Sequence, residues 1–169
     1  MTAQKRHLRI SKNGKPFPAG HKVVYDFWAL YTREEHGTIQ IDASTPEAAY
    51  NNLDEGNILD EWSEGSIYHF TGQIMDSKDH IFNFKPYRLQ RGAITNKPSI
   101  PGTNVPTLYY GTYVRKENGG ALIKAANPRE AYMKLIQGKI VEFEDNEMKS
   151  TYSYGTTLVN GTTGKTIHK

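Results

Sequence analysis

Between Val23 and Arg33 apolar residues fill both sides of an alternating pattern, with Val23, Tyr25, Phe27, Ala29 and Tyr31 on one side and Val24, Trp28 and Leu30 on the other, broken at Asp26. A strand apolar on both sides is one covered on both sides. Glu34-Glu35-His36-Gly37 reads as a turn in which glycine supplies a positive φ, and Thr38 to Asp42 returns with Ile39 and Ile41 alternating against polar neighbours, so the pattern predicts a hairpin. After Ala43 the period changes. Ala49, Tyr50 and Leu53 recur at helical spacing behind Thr45, which suits an N-cap, and Pro46, whose absent N–H costs nothing at the first helical position. Gly56 is placed to end the helix in the left-handed conformation. About ten residues do not hold a helix in water alone, so this one is expected to pack on the hairpin.

The same pattern returns 82 residues later. Pro128 follows Asn127 as Pro46 follows Thr45, Ala131, Tyr132 and Leu135 repeat the stripe, and Gly138 repeats Gly56, with Glu130 three residues after the cap as a capping box requires. Upstream at the same offset Arg6 meets Arg88, Arg9 meets Arg91, Lys15-Pro16 meets Lys97-Pro98, Tyr31 meets Tyr113, Arg33 meets Arg115, Glu35 meets Glu117 and Gly37 meets Gly119. Between positions 6 and 58 this gives 18 identities without a gap, against about 3 from random pairing. The expected fold is α+β, a tandem duplication of a ββαβ-type unit with two short helices packed on antiparallel sheet about a pseudo-twofold axis, repeat one over 1–86 and repeat two over 87–169. Residues 1–22 and 93–106 are proline-containing lead-ins. Strands are expected over 57–62 and 139–144. Closing hairpins are expected over 66–74 with 81–84, and over 151–159 with 162–168 around the turn dipeptide Asn160-Gly161.

Composition narrows the function classes. With no cysteine there is neither a disulfide framework nor a thiolate metal site, which fits a cytoplasmic or virion setting. No apolar run approaches 18 residues, so no membrane partner is expected, and Met1 to His7 has no apolar stretch behind its charges as a signal peptide would. The net charge of +3 hides a strong segregation. Before Asp26 lie Lys5, Arg6, Arg9, Lys12, Lys15 and Lys22 with no acid, whereas Glu34 to Glu64 carries nine acids with no Lys or Arg. Lys85, Arg88, Arg91 and Lys97 open the second repeat with the same bias.

Enzymatic signatures fail on inspection. Tyr68-His69-Phe70-Thr71 has the form used by two-histidine phosphodiesterases, but that chemistry needs two copies and Ser150 to Tyr154 holds no histidine. Gly161-Thr162-Thr163-Gly164-Lys165-Thr166 has Val159 where a phosphate-cradling loop needs its first glycine, and three residues after it leave no helix to begin. The six histidines show no helical pairing and no ligand spacing, so neither metal nor cofactor is expected. What recurs is basic residues among aromatics. Arg6, Arg9, Lys15, Tyr31 and Arg33, with Arg88, Arg91, Lys97, Tyr113 and Arg115, form the candidate nucleic-acid or anion-binding set, because rings stack on bases and guanidinium groups take phosphates bidentately. The competing explanation places the tyrosines in the core. The sequence thus points to a non-enzymatic binding protein for single-stranded nucleic acid or a nucleoprotein or protein partner. The alternatives are a structural, homo-oligomeric assembly protein such as a virion component, and a sequestering protein with a pocket for a small phosphorylated ligand at the pseudo-twofold.

Overall fold

In the computed structural model residues 23–102, 105–146 and 149–168 are described. They form a nine-stranded antiparallel open sheet with two short helices. Two 18-residue strands, β1 (Tyr25–Asp42) and β5 (Leu108–Ala125), pair without interruption along their whole length, from Tyr25 opposite Ala125 to Asp42 opposite Leu108. Helix α1 (Pro46–Glu55) follows β1, and α2 (Pro128–Ile136) follows β5. β2 (Asp60–Asp76) lies on the other side of β1 and carries β3 (Ile81–Asn83) and β4 (Tyr87–Gly92) on its outer edge. Beside β5 the corresponding place is shared by three short strands, β6 (Glu142–Asp145), β7 (Thr151–Tyr154) and β8 (Thr157–Asn160), and β9 (Thr166–His168) pairs with β8.

Both helices begin where the caps predict. The Thr45 hydroxyl accepts from Ala48 N–H at 3.1 Å, and the Asn127 amide oxygen accepts from Glu130 N–H at 2.8 Å. Gly56 ends α1 at φ 74° and Gly138 follows α2 at φ 75°, conformations costly for any residue with a Cβ.

The expected hairpin at Glu34-Glu35-His36-Gly37 is not formed, and with it the ββαβ order gives way to long strand, helix, long strand. Those four residues run straight through the middle of β1, paired on one side with β2 and on the other with β5. Glu35 tolerates the sheet interior because Arg33 and Arg115 lie against it, and Glu34, on the other face, bonds to the His36 and His69 rings. Gly37 takes no left-handed φ; it is glycine because a Cβ would stand 2.2 Å from the Trp62 carbonyl oxygen and 2.5 Å from the Tyr113 ring. Likewise the strand expected over 57–62 and the hairpin arm over 66–74 are one strand, β2, while the equivalent stretch after α2 is broken into pieces. The basic stretch at Arg88 and Arg91 is itself a strand, β4, rather than an unpaired lead-in.

Odd-numbered positions of β1 and β5 face the helices. At one end Phe27, Ala29, Tyr31, Ile123 and Ala125 pack with Tyr68 and Phe70 of β2 and with Ala131 and Leu135 of α2. At the other end Ile39, Ile41, Tyr109 and Tyr113 pack with Ala49, Tyr50 and Leu53 of α1 and Leu158 of β8. Between the two apolar clusters the same face carries charge. Among the described residues no helix packs on the opposite face. Near Thr38 it is crossed by the β4–β5 connection, where Ser99 N–H donates to the Thr38 hydroxyl at 2.9 Å.

Candidate functional site

The middle of the helix-bearing face is an ion-pair cluster. Strand alternation and the β1–β5 register set Arg33 opposite Glu117 and Glu35 opposite Arg115. The Arg33 guanidinium reaches Glu117 at 2.8 Å, Glu35 at 3.1 Å and Asp145 at 3.2 Å, and its Nε donates to the Ser66 hydroxyl at 3.0 Å. Arg115 reaches Glu117 at 2.7 Å and Glu35 at 3.6 Å, and its Nε donates to the Ser150 hydroxyl at 3.3 Å. Burial alone would raise the Glu117 carboxyl, whose side chain is 1% exposed, but hydrogen bonds from Ser150 and Arg33 and the charge of Arg115 hold it below the usual carboxylate range. Two guanidinium groups against three carboxylates leave this cluster without positive charge to offer a phosphate.

The paired tyrosines are core residues. Tyr31 is 2% exposed and Tyr113 is 3% exposed, and neither presents a ring face to solvent. The Tyr31 hydroxyl donates to Asp145, and the Tyr113 hydroxyl donates to Glu35 at 3.1 Å. Burial, then the neighbouring carboxylate, pushes both phenols far above their ordinary range, so they remain donors. Of the ten candidate residues, then, Tyr31, Arg33, Tyr113 and Arg115 come together, but as an internal structural cluster and not as a stacking platform. Arg6, Arg9 and Lys15 lie outside the described residues. Arg88, Arg91 and Lys97 are exposed. Arg91 lies over the Phe143 ring at 5.0 Å, so it does not share one surface with Arg88, and Lys97 is in the β4–β5 connection.

Arg88 belongs to the open face. It stands opposite His69 in the β2–β4 register, His69 stands opposite Thr32, and Thr32 stands opposite Asn118. The adjacent row runs Gln90, Ile67, Glu34 and Lys116. Glu34 bonds to the His69 ring at 3.0 Å and the His36 ring at 3.2 Å. Burial works to raise its carboxyl, and the two imidazoles and Lys116 outweigh it and hold the group below the usual range. The result is a surface with Arg88 and Lys116 on either side of one carboxylate shared by two imidazoles. Sequence reasoning missed it because Arg88, His69, His36 and Lys116 come from four different strands. The signal available was a partial one: His69 lies in a strand pattern whose polar side has to face something other than the core.

Two further features bear on ligands. A shallow cavity of about 300 Å³ lies beside α1, lined by Tyr50, Leu53, Asp54, Tyr154, Gly155 and Thr156. The centre of the β1–β5 pair holds the ion-pair cluster, away from this cavity. No helix among the described residues is long and apolar enough to cross a membrane. Compared with known proteins, the chain matches no family model, no curated protein and no solved structure.

Proposed function

We propose that this chain is a tandem duplication folded about a pseudo-twofold axis through the Glu34–Lys116 pair, and that it is a non-enzymatic protein binding an anionic polymer, single-stranded nucleic acid in the first instance, on the open face of its sheet. The duplication is supported by the register. Glu34 and Lys116 are 82 residues apart, the sequence offset, and they stand opposite one another, so every β1–β5 pair has its mirror pair at that offset. The β1–β2 pairs from Gly37 opposite Ser63 to Gln40 opposite Asp60 likewise recur as Gly119 opposite Asp145 to Leu122 opposite Glu142.

The observation that carries the binding reading is the juxtaposition of Arg88, His69, His36 and Lys116 around Glu34, on a face that bears no helix among the described residues. Arginine takes phosphate oxygens as a fork, lysine adds charge, imidazole rings offer hydrogen bonds, and an extended sheet surface suits a polymer better than a pocket does. Tyr31 and Tyr113 play no part in it. Contacts of this kind bind through phosphate and carry little sequence preference.

The test is fluorescence anisotropy of a labelled single-stranded oligonucleotide with the full chain over a salt series. Log affinity falls linearly with log salt, with a slope of roughly −0.7 per phosphate contacted. Arg88→Glu and Lys116→Glu each weaken binding several-fold and flatten the slope, while thermal unfolding stays where it was. Absence of binding at low salt refutes the reading and leaves the assembly role, for which the half-buried apolar row Met75, Trp28 and Leu122 on the same face is the specific observation.

A further inference from the structure

One aromatic position of the open face is treated differently in its two occurrences. Trp28 of β1 and Tyr110 of β5 lie 82 residues apart and stand opposite Leu122 and Gln40 of the other long strand. Tyr110 is fully buried, and the Trp62 ring lies against it edge-on with centroids 6.2 Å apart. Trp62 reaches that place from β2, where it stands opposite Thr38. The residue that stands opposite Gly120 in the same way is Glu144 of β6. A carboxylate thus holds the position from which a ring covers Tyr110, and Trp28 keeps part of its surface in solvent. Glu144 anchors the indole, whose Nε1 donates to its carboxylate at 2.8 Å. Gly120 lets the ring lie close to the sheet, since a Cβ there would stand 3.2 Å from the Trp28 Cβ and 3.4 Å from its Cδ1.

We propose that Trp28 is the base-stacking residue of the open face, taking one nucleobase of a single strand whose phosphates lie along Arg88 and Lys116. The inference rests on the nucleic-acid reading of that face and adds the part of the polymer that phosphate contacts leave unread. Trp28, Leu30 and Thr32 succeed one another on this face of β1, and Thr32 shares its row with His69 and Arg88. Four residues along the strand are about 13 Å and two strands across are about 10 Å, so a polymer held at Arg88 reaches the indole within about five nucleotides at a stacked rise of about 3.4 Å.

The surroundings of the ring select a base over the other occupants of an aromatic surface. Glu142, opposite Leu122, and Glu144 are both exposed, and Lys124 in the next row is engaged by Asp26 at 2.7 Å. Two carboxylates keep phosphate away from this end of the face. An apolar partner would have to strip water from both acids without replacing it. A base covers the ring with its plane and offers amino hydrogens to the carboxylates at its edge. Because the indole is already anchored through Nε1, stacking on it costs little further ordering, and since every base has a π-face the contact tolerates any sequence.

The chain has two tryptophans, and Trp62→Phe keeps a ring against Tyr110 while leaving Trp28 as the one indole emitter. Oligothymidylate titrated into this variant at low salt quenches the Trp28 emission, with the same midpoint as the anisotropy. The unmodified chain binds oligothymidylate at least about five-fold more tightly than an abasic strand of equal length, the lower end of what one base–aromatic stack contributes. Trp28→Ala abolishes that ratio and Trp28→Phe restores most of it, with the salt slope unchanged because the phosphates contacted are the same. Equal affinity of the unmodified chain for the two strands, or a preference for bases that survives Trp28→Ala, overturns the stacking assignment and leaves the phosphate reading standing. Trp28 emission unmoved by saturating oligothymidylate overturns it in the same way without a substitution at position 28. Binding of neither strand at low salt overturns both readings.

Discussion

Arg33 and Glu117 face each other across the two longest strands, 2.8 Å from guanidinium nitrogen to carboxylate oxygen, with the acid buried to 1% of its surface between two arginines. The pair is internal to the fold, and its arginines are accordingly unavailable to a ligand. Breaking a buried pair from one side leaves the other charge uncompensated, which costs about 3–5 kcal/mol. Glu117→Ala is therefore expected to lower the urea midpoint by the equivalent of that range, without altering nucleic-acid affinity per folded molecule. Unchanged affinity with unchanged stability would mean that the carboxylate is not holding the arginines.

The same carboxylate makes the fold acid-sensitive. Its folded pKa is held below that of the unfolded chain, so between the two values the unfolded state binds more protons and stability rises with pH. The contribution is complete above the unfolded glutamate value of about 4.3 and is lost as pH falls through the folded value. Glu34 adds in the same direction. Urea midpoints measured from pH 7 down to pH 3 are expected to fall, and Glu117→Gln is expected to flatten that fall while lowering the starting value.

Gly37 and Gly119 each lie against the tyrosine of the other half. A Cβ at Gly119 would stand 2.5 Å from the Tyr31 hydroxyl and 2.6 Å from the Glu144 carbonyl oxygen, matching the Trp62 and Tyr113 contacts at Gly37. Alanine at either position is expected to cost about 1–3 kcal/mol, toward the upper end because backbone atoms must move. Similar losses at the two sites, read from thermal unfolding, are the outcome expected from the proposed duplication.

Helix capping gives a milder test. Asn127→Ala removes the acceptor for Glu130 N–H and is expected to cost about 1 kcal/mol. Gly138→Val forces a β-branched residue to φ 75° and is expected to cost more. Denaturant midpoints that do not order the two variants this way would place the end of α2 elsewhere.

Glu34 is the carboxylate between the cationic groups of the open face. Glu34→Gln is expected to tighten oligonucleotide binding several-fold at low salt, the opposite sign to Arg88→Glu, with the difference vanishing at high salt as screening removes both effects.

Local chemistry alone was enough to read the helices, and comparison of the chain with itself was enough to propose the repeat. Thr45-Pro46 and Asn127-Pro128 start helices and Gly56 and Gly138 stop them for reasons confined to a few neighbouring residues, and the 82-residue offset needs nothing but comparison of the chain with itself. Antiparallel pairing of counterparts would also have set Arg33 opposite Glu117 in advance, had the stretch from Glu34 to Gly37 been read as strand. That stretch was not legible as strand because its residues are turn-formers in isolation. They become sheet only when Arg115 from 80 positions away supplies the charge and the Tyr113 ring occupies the space that Gly37 leaves. For the same reason the tyrosine and arginine pairs, conspicuous in sequence as a binding set, are interior: exposure is a property of what packs above a strand, and nothing in the strand itself states it. The open face is decided at the same level. His36 and His69 meet at Glu34 only through the β1–β2 register. That register is fixed by the burial of Tyr68 and Phe70 on the opposite side, because a slip of one residue would send those rings to water and the histidines to the core.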